Sequence, residues 1–213
     1  MKADSIIFDL DGTLWDSTQA VTATWNAVMR QHCPGARAEI TRQEILGCMG
    51  MLLPDIGRKL FPAQPPAVQQ AMVQQVCRDE LTLLEKTGGV LYPRLEETLR
   101  LLHEQFALLI VSNCQAGYIE CFLKAHQLER WFCDFENPDR TGQPKAGNIE
   151  IVVRRNDLRA PVYVGDTALD GQSARQAGVP FIHARYGFGQ SDDFDAVIDS
   201  IDQLPGILEP AGR

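Results

Sequence analysis

The sequence predicts an α/β fold: a doubly wound parallel sheet interrupted early by an all-helical insert. Three observations lead to that expectation. A continuous apolar run, Ile6-Ile7-Phe8, ends at once in polar residues, as a strand buried on both faces does. From residue 92 onward, helical periodicity alternates with further short apolar runs, the rhythm of a parallel sheet wound with helices. Between these parts, residues 16–88 carry helical patterning alone.

The first strand leads into Asp9-Leu10-Asp11-Gly12, where Asp-Gly marks a turn. Val21, Trp25, Val28, Met29 and His32 then recur at helical spacing, with Asp16 or Ser17 placed to cap the start and Pro34-Gly35 to stop it. Helical pieces over 41–46 and 52–60 flank a loop with two glycines, Gly47-Cys48-Met49-Gly50-Met51. Pro62, Pro65 and Pro66 break the chain before a long helix over 67–86, which Gly88-Gly89 closes. Leu95, Leu99 and Leu102 give the next helical face, and 106–111 is a buried strand. Ile119, Phe122 and Leu123 open another helix, followed by a short strand over 132–135. Ile149, Val152, Val153 and Asn156 repeat at i, i+3, i+4, i+7. A strand over 162–164, a helix over 168–177 and two short strands, at 181–182 and 196–198, complete the series. The expected division is therefore residues 1–15 and 89–213 for the α/β core and 16–88 for the helical insert.

The 213 residues are 45% hydrophobic, enough for a sizeable core. A net charge of −8 argues against non-specific nucleic-acid binding, which needs a basic face. It leaves room for an anionic substrate where a divalent cation offsets local acidity. The six cysteines include no C-x-x-C pair, so neither a zinc site nor a disulfide framework is expected, and free thiols point to a reducing compartment. Met1-Lys2-Ala3-Asp4 runs straight into the first strand without room for a signal peptide, and no apolar run approaches ~18 residues. The expectation is a cytoplasmic protein with no membrane partner.

Candidate chemistry gathers at strand ends, where ligands bind in open α/β sheets. Asp9 and Asp11, at i and i+2, point the same way. Ser112-Asn113 follows the strand at 106–111; Ser112 and the following N–H groups suit a phosphate oxygen, although helix capping alone would explain both residues. Asp166 follows the strand at 162–164, and Asp170 lies one helical turn on. Four acids at two strand ends repel one another unless a cation sits among them, and hard oxygen ligands suit Mg²⁺. Lys145, in the Gly/Pro-bounded Gly142-Gln143-Pro144-Lys145, would ordinarily be solvated, but offers a point charge to such a cluster.

In that order, Asp9-x-Asp11-Gly12-Thr13, Ser112-Asn113, Lys145 and Gly165-Asp166-x-x-x-Asp170 resemble the four signature motifs of the haloacid dehalogenase-like hydrolase superfamily. The insert is similar to the α-helical cap of the subgroup holding phosphoglycolate phosphatases and β-phosphoglucomutases, and Asp16-Ser17 fits that subgroup. The resemblance implies a Rossmann-like core with an inserted α-helical cap domain. It also implies hydrolysis of a small phosphorylated metabolite through an aspartyl-phosphate. Asp9 would be the nucleophile and Asp11 the general acid, then base. Ser112, Asn113 and Lys145 would bind phosphate. Mg²⁺ would be held by Asp9, the Asp11 carbonyl and Asp166, with Asp170 a direct or water-mediated ligand. Asp11 favours phosphoryl transfer over dehalogenation, because a carbon–halogen bond needs no protonated leaving group. A phosphosugar mutase or a non-enzymatic regulatory protein on the same fold would present the same motifs.

Several positions depart from the pattern. The usual Pro-Gly after the cap is Pro93-Arg94, and the third motif reads Gln143-Pro144-Lys145-Ala146-Gly147-Asn148. Trp15 is bulky and is expected to pack where cap meets core. Met49 and Met51 are expected to pack in the cap loop. Arg58 and Lys59 are candidate cap cations for a substrate carboxylate or second phosphate, or simply a solvated helix face.

Overall fold

The computed structural model describes residues 1–211. Its central sheet has six strands: β1 (Ser5–Phe8), β2 (Ala107–Val111), β3 (Asp134–Glu136), β4 (Pro161–Gly165), β5 (Phe181–Ala184) and β6 (Ala196–Ile198). They lie in the order 3-2-1-4-5-6, and every pairing is parallel. This is the doubly wound order, in which the strand sequence reverses between β1 and β4 and leaves a crevice at their carboxyl ends.

Four helices form the insert: α1 (Thr18–His32), α2 (Arg42–Leu46), α3 (Leu53–Leu60) and α4 (Pro66–Thr87). They enclose a hydrophobic cluster of their own, built from Val21, Trp25, Val28 and Met29 of α1 with Leu60, Phe61, Met72 and Val76. Trp25 stacks on Phe61 with ring centroids 6.2 Å apart. The 21-25-28-29 spacing that predicts α1 is therefore the stripe that the insert buries. The start of α1 is tied by Asp16, whose Oδ1 accepts from the Thr18 N–H at 2.9 Å, while the Ser17 hydroxyl turns to Asp11.

The remaining long helices are α5 (Leu95–His103), α6 (Tyr118–His126), α7 (Lys145–Arg155) and α8 (Ala168–Gln176). Strand alternation divides them between two faces. Ile6 and Phe8 of β1 join Leu108, Ile110, Val162 and Val164 beneath α5 and α6. Ile7 joins Leu109, Val111 and Tyr163 beneath α7 and α8. Each such side chain contributes about 1.5–3 kcal/mol on burial, so continuous apolar strands are what a sheet covered on both faces requires.

Some elements differ from the sequence expectation. Trp15–Asp16 and Val90–Leu91 pair as a two-stranded antiparallel ribbon at the two ends of the insert. Lys2–Ala3 and Glu209–Pro210 form a second short pair, parallel. Two-residue strands carry no periodicity for a sequence pattern to reveal. Trp15 is fully buried against Tyr118, Phe122 and His126. Arg94 holds φ = 63°, the left-handed conformation for which glycine is the usual occupant. Among the described residues, no helix is long and apolar enough to cross a membrane.

Candidate active site

β1 delivers Asp9 just past the sheet edge, where its N–H donates to the Val164 carbonyl of the neighbouring strand at 2.8 Å. Gly12 then turns the chain at φ = 85°. A Cβ at that position would lie 2.3 Å from Asp166 Oδ2, so both the turn and the close approach require glycine. Asp166, immediately after β4, is fully buried. From its other side a Cβ on Gly187 would lie 2.2 Å from Asp166 Cβ. Asp166 Oδ2 accepts from the Phe188 N–H at 2.7 Å and the Gly189 N–H at 3.3 Å, and Thr13 Oγ1 stands 3.4 Å from Oδ1. The segment 187–189 was not expected from the sequence. Its signal is a Gly-x-Gly three residues after the end of β5.

Lys145 is not in a loop. It opens α7 directly after Pro144 and is only 3% exposed. Its Nζ donates to Asp9 Oδ1 at 2.8 Å and to Asp170 Oδ1 at 2.5 Å. Asp170 Oδ2 in turn accepts from the Thr167 N–H at 2.9 Å and Thr167 Oγ1 at 2.6 Å, a capping box that fixes the start of α8. One acid thus caps a helix and anchors the lysine, with both of its oxygens engaged.

Asp11 Oδ1 accepts from Ser17 Oγ at 2.5 Å, and the Tyr118 hydroxyl lies 3.1 Å from the same oxygen and 2.9 Å from Ser17 Oγ. Ser112 is buried beside Asp9, whose charged form its side chain favours. The helix after it starts at Tyr118 with Gly117 as its cap, so neither Ser112 nor Asn113 caps it, and their amides lie outside its first turn. Asn113 Nδ2 donates to the Gly50 carbonyl in the cap loop at 2.9 Å, while its buried Oδ1 has no partner among the described residues.

Burial dominates the electrostatics. It pushes Asp9 up to about 6, with Asp170 adding and Lys145 and Ser112 opposing. It pushes Asp11 up to about 7, reinforced by Asp9 and opposed by the Ser17 and Tyr118 hydroxyls. Asp166 rises well above the usual carboxylate range through burial, Asp170 and Asp9. Burial works against the Lys145 charge, but Asp170 and Asp9 outweigh it and hold its pKa well above the ordinary value. Asp9, Asp166 and Asp170 each present one oxygen within 4.8 Å of the others. Three buried acids against one lysine, all with hard oxygen donors, fit a divalent cation such as Mg²⁺.

Beside Asp11, cap and core enclose a chamber of about 50 Å³, lined among others by Trp25, Met49, Met51, Glu80, Asn113 and Gln115. Glu80, on α4, is buried and accepts from Gln115 Nε2 of the core at 2.8 Å. Burial, with Asp11 adding, pushes Glu80 up to about 8 against the Gln115 hydrogen bond. Arg58 and Lys59 do not line this chamber. Arg58 pairs with Asp55, and Lys59 donates to the Gly47 carbonyl. Cys114, the neighbour of Asn113, is a buried thiol pushed well above its ordinary value by burial.

A family model described as haloacid dehalogenase-like hydrolase matches residues 6–184. The chain is 27% identical over 217 residues to the phosphoglycolate phosphatase of Rhodobacter capsulatus, covering 97% of each. A predicted phosphoglycolate phosphatase from Haemophilus somnus superposes with a TM-score of 0.86 at 18% identity, covering 97% of this chain and 98% of that one. CbbY from Rhodobacter sphaeroides, solved in complex with xylulose-(1,5)bisphosphate, superposes with a TM-score of 0.79 at 15% identity, covering 95% and 96%.

Proposed function

The chain belongs to the haloacid dehalogenase-like hydrolases and is a phosphoric monoester hydrolase; from that premise we propose that it cleaves a small phosphorylated metabolite through an aspartyl-phosphate on Asp9, with Mg²⁺ as cofactor. The observation that carries this reading is the pairing of a lysine-bound carboxylate, Asp9, with a hydroxyl-bound carboxyl two residues on, Asp11. The two groups then have different tasks. Asp9, held by Lys145 and Ser112 in its ionised form, attacks phosphorus. Asp11, poised at about 7, gives its proton to the departing alcohol oxygen. The Asp11 carboxylate next takes a proton from the water that attacks the phosphoryl group. Phosphate is released, Asp9 regains its carboxylate and Asp11 its proton.

Bound Mg²⁺, held by Asp9, the Asp11 main-chain carbonyl and Asp166, with Asp170 reached directly or through water, would supply positive charge against the phosphoryl oxygens. Lys145 supplies a second, fixed charge, and Ser112 with the Asn113 segment binds a remaining oxygen. The relatives' names make the phosphoglycolate phosphatase type the class to which the reading is closest in its reaction, phosphate ester hydrolysis, rather than in its alcohol. Six free thiols, four of them buried, favour a reducing, cytoplasmic setting.

The test is phosphate release from a panel of small phosphoesters with Mg²⁺, beside Asp9→Asn. We expect turnover of at least one ester and a loss of about 10³-fold or more in the variant. Absence of turnover for every ester, or equal turnover by the variant, would refute the phosphatase reading.

A further inference from the structure

Which alcohol leaves is decided on the Asp11 side of the phosphorus, because the leaving oxygen must meet the group that protonates it. The chamber beside Asp11 is where that alcohol has to lie. Trp25, Met49, Met51 and Ile56 give it an apolar wall supplied by the cap. Its polar end is the Glu80–Gln115 pair, one residue from the cap and one from the core. Gln115 uses Nε2 on Glu80 Oε2, and the Oε1 atoms of both residues have no partner among the described residues.

The lack of a lining cation makes the chamber selective. Asp11 and Glu80 are its acids, and among the described residues no lysine or arginine lines it. Arg42 is paired with Asp16 and Thr18 at the start of α1. Arg58 and Arg78 line a separate cavity of about 820 Å³. Leu53 and Gln115 stand in the lining of both spaces. An alcohol bearing a carboxylate or second phosphate would enter a chamber whose described lining offers no cation to receive it, at a cost of the kind an unpaired buried charge carries.

We propose that this chain acts on phosphate monoesters of uncharged, hydroxyl-bearing alcohols, with Glu80 and Gln115 reading a hydroxyl of the leaving group, and that it discriminates against anionic leaving groups such as glycolate. The proposal rests on the phosphatase reading above. Glu80 and Gln115 act as specificity residues: a carboxyl and a carboxamide accept from, and donate to, an alcohol hydroxyl.

The experiment compares kcat/KM, with Mg²⁺ present, for glycerol phosphate, 2-phosphoglycolate and p-nitrophenyl phosphate. The expected result is at least a tenfold preference for glycerol phosphate over 2-phosphoglycolate. A smaller preference, or the reverse, overturns the proposal while p-nitrophenyl phosphate hydrolysis keeps the phosphatase reading intact. No release from any of the three sinks the phosphatase reading and this proposal together. Glu80→Lys adds the absent cation and is expected to shift the glycerol phosphate to 2-phosphoglycolate ratio at least tenfold toward the latter. If the folded variant, checked by circular dichroism, leaves that ratio unmoved, Glu80 does not face the leaving group. Glu80→Gln keeps a hydrogen-bonding side chain and is expected to retain the wild-type order of preference.

Discussion

Asp11 illustrates what a single residue owes to its neighbours. Its carboxyl lies beside Asp9, and two hydroxyls, from Ser17 and Tyr118, converge on one of its oxygens. Hydrogen bonds to a charged group are worth about 1.5–3 kcal/mol. Tyr118→Phe is therefore expected to lower kcat by about tenfold or more, with KM little changed. Steady-state kinetics on the best ester checks this, and an unchanged kcat would show that Ser17 alone positions the acid. At this scale the sequence discloses the groups that sit at strand ends. Asp9, Asp11, Ser112 and Asp166 could be found because an apolar run stops where each begins. Tyr118 and Gly187 could not, because each reaches the site only through a tertiary approach that leaves no local pattern. Lys145 was found by motif order, but its burial and its place at the head of a helix were not visible.

Between elements, the most consequential contact is α4 against the core. Glu80 is a carboxyl inside that seam, displaced by burial from 4.5 up to about 8. The folded protein thus keeps a proton that the unfolded chain releases. Stability from this group must therefore fall as pH rises from about 4.5 to about 8, and level off above that. Glu80→Gln removes the dependence. The difference in stability between variant and wild type is expected to move in favour of the variant by a few kcal/mol from pH 5 to pH 9, since each unit of displacement is worth about 1.4 kcal/mol. Denaturant melts at the two pH values check it, and a pH-independent difference would show that Glu80 ionises freely. Long periodic elements were legible because burying one face imposes a repeat, as in the 21-25-28-29 stripe of α1. The ribbon of Trp15–Asp16 with Val90–Leu91 was not, since its pairing joins positions that are distant in sequence and too short to alternate.

For the molecule as a whole, the crevice at the strand ends is a place of stored repulsion. Asp9, Asp166 and Asp170 converge and, among the described residues, Lys145 alone pairs with two of them. A dication that binds the folded form alone stabilises it by mass action, about 2.7 kcal/mol at a hundred times its Kd. For a chain of this length that is a rise in Tm of several degrees, roughly 2–4 °C per kcal/mol. Mg²⁺ is expected to produce such a rise, chelator to reverse it and abolish turnover, and Asp166→Asn to blunt it. A melting point indifferent to Mg²⁺ in the wild type would contradict the assignment of the cluster. The overall architecture was legible because alternation of helix and strand leaves few ways to wind a parallel sheet, and the strand order 3-2-1-4-5-6 is one of the common ones.

The small ribbon has a consequence for how such a chain can change. The excursion from Asp16 to Val90 begins and ends on two hydrogen-bonded neighbours. To the sheet, everything between them is equivalent to the tip of a hairpin. The entropy of closing a loop grows only with the logarithm of its length, so a tip of a few residues and a tip of four helices burden the rest of the chain almost alike. A lineage could exchange the entire tip, and with it the apolar wall of the chamber, while Asp9, Lys145 and Asp166 stayed in place. Reaction and preference would then be inherited as separate parts, joined along the chain at a doorway two residues wide on each side.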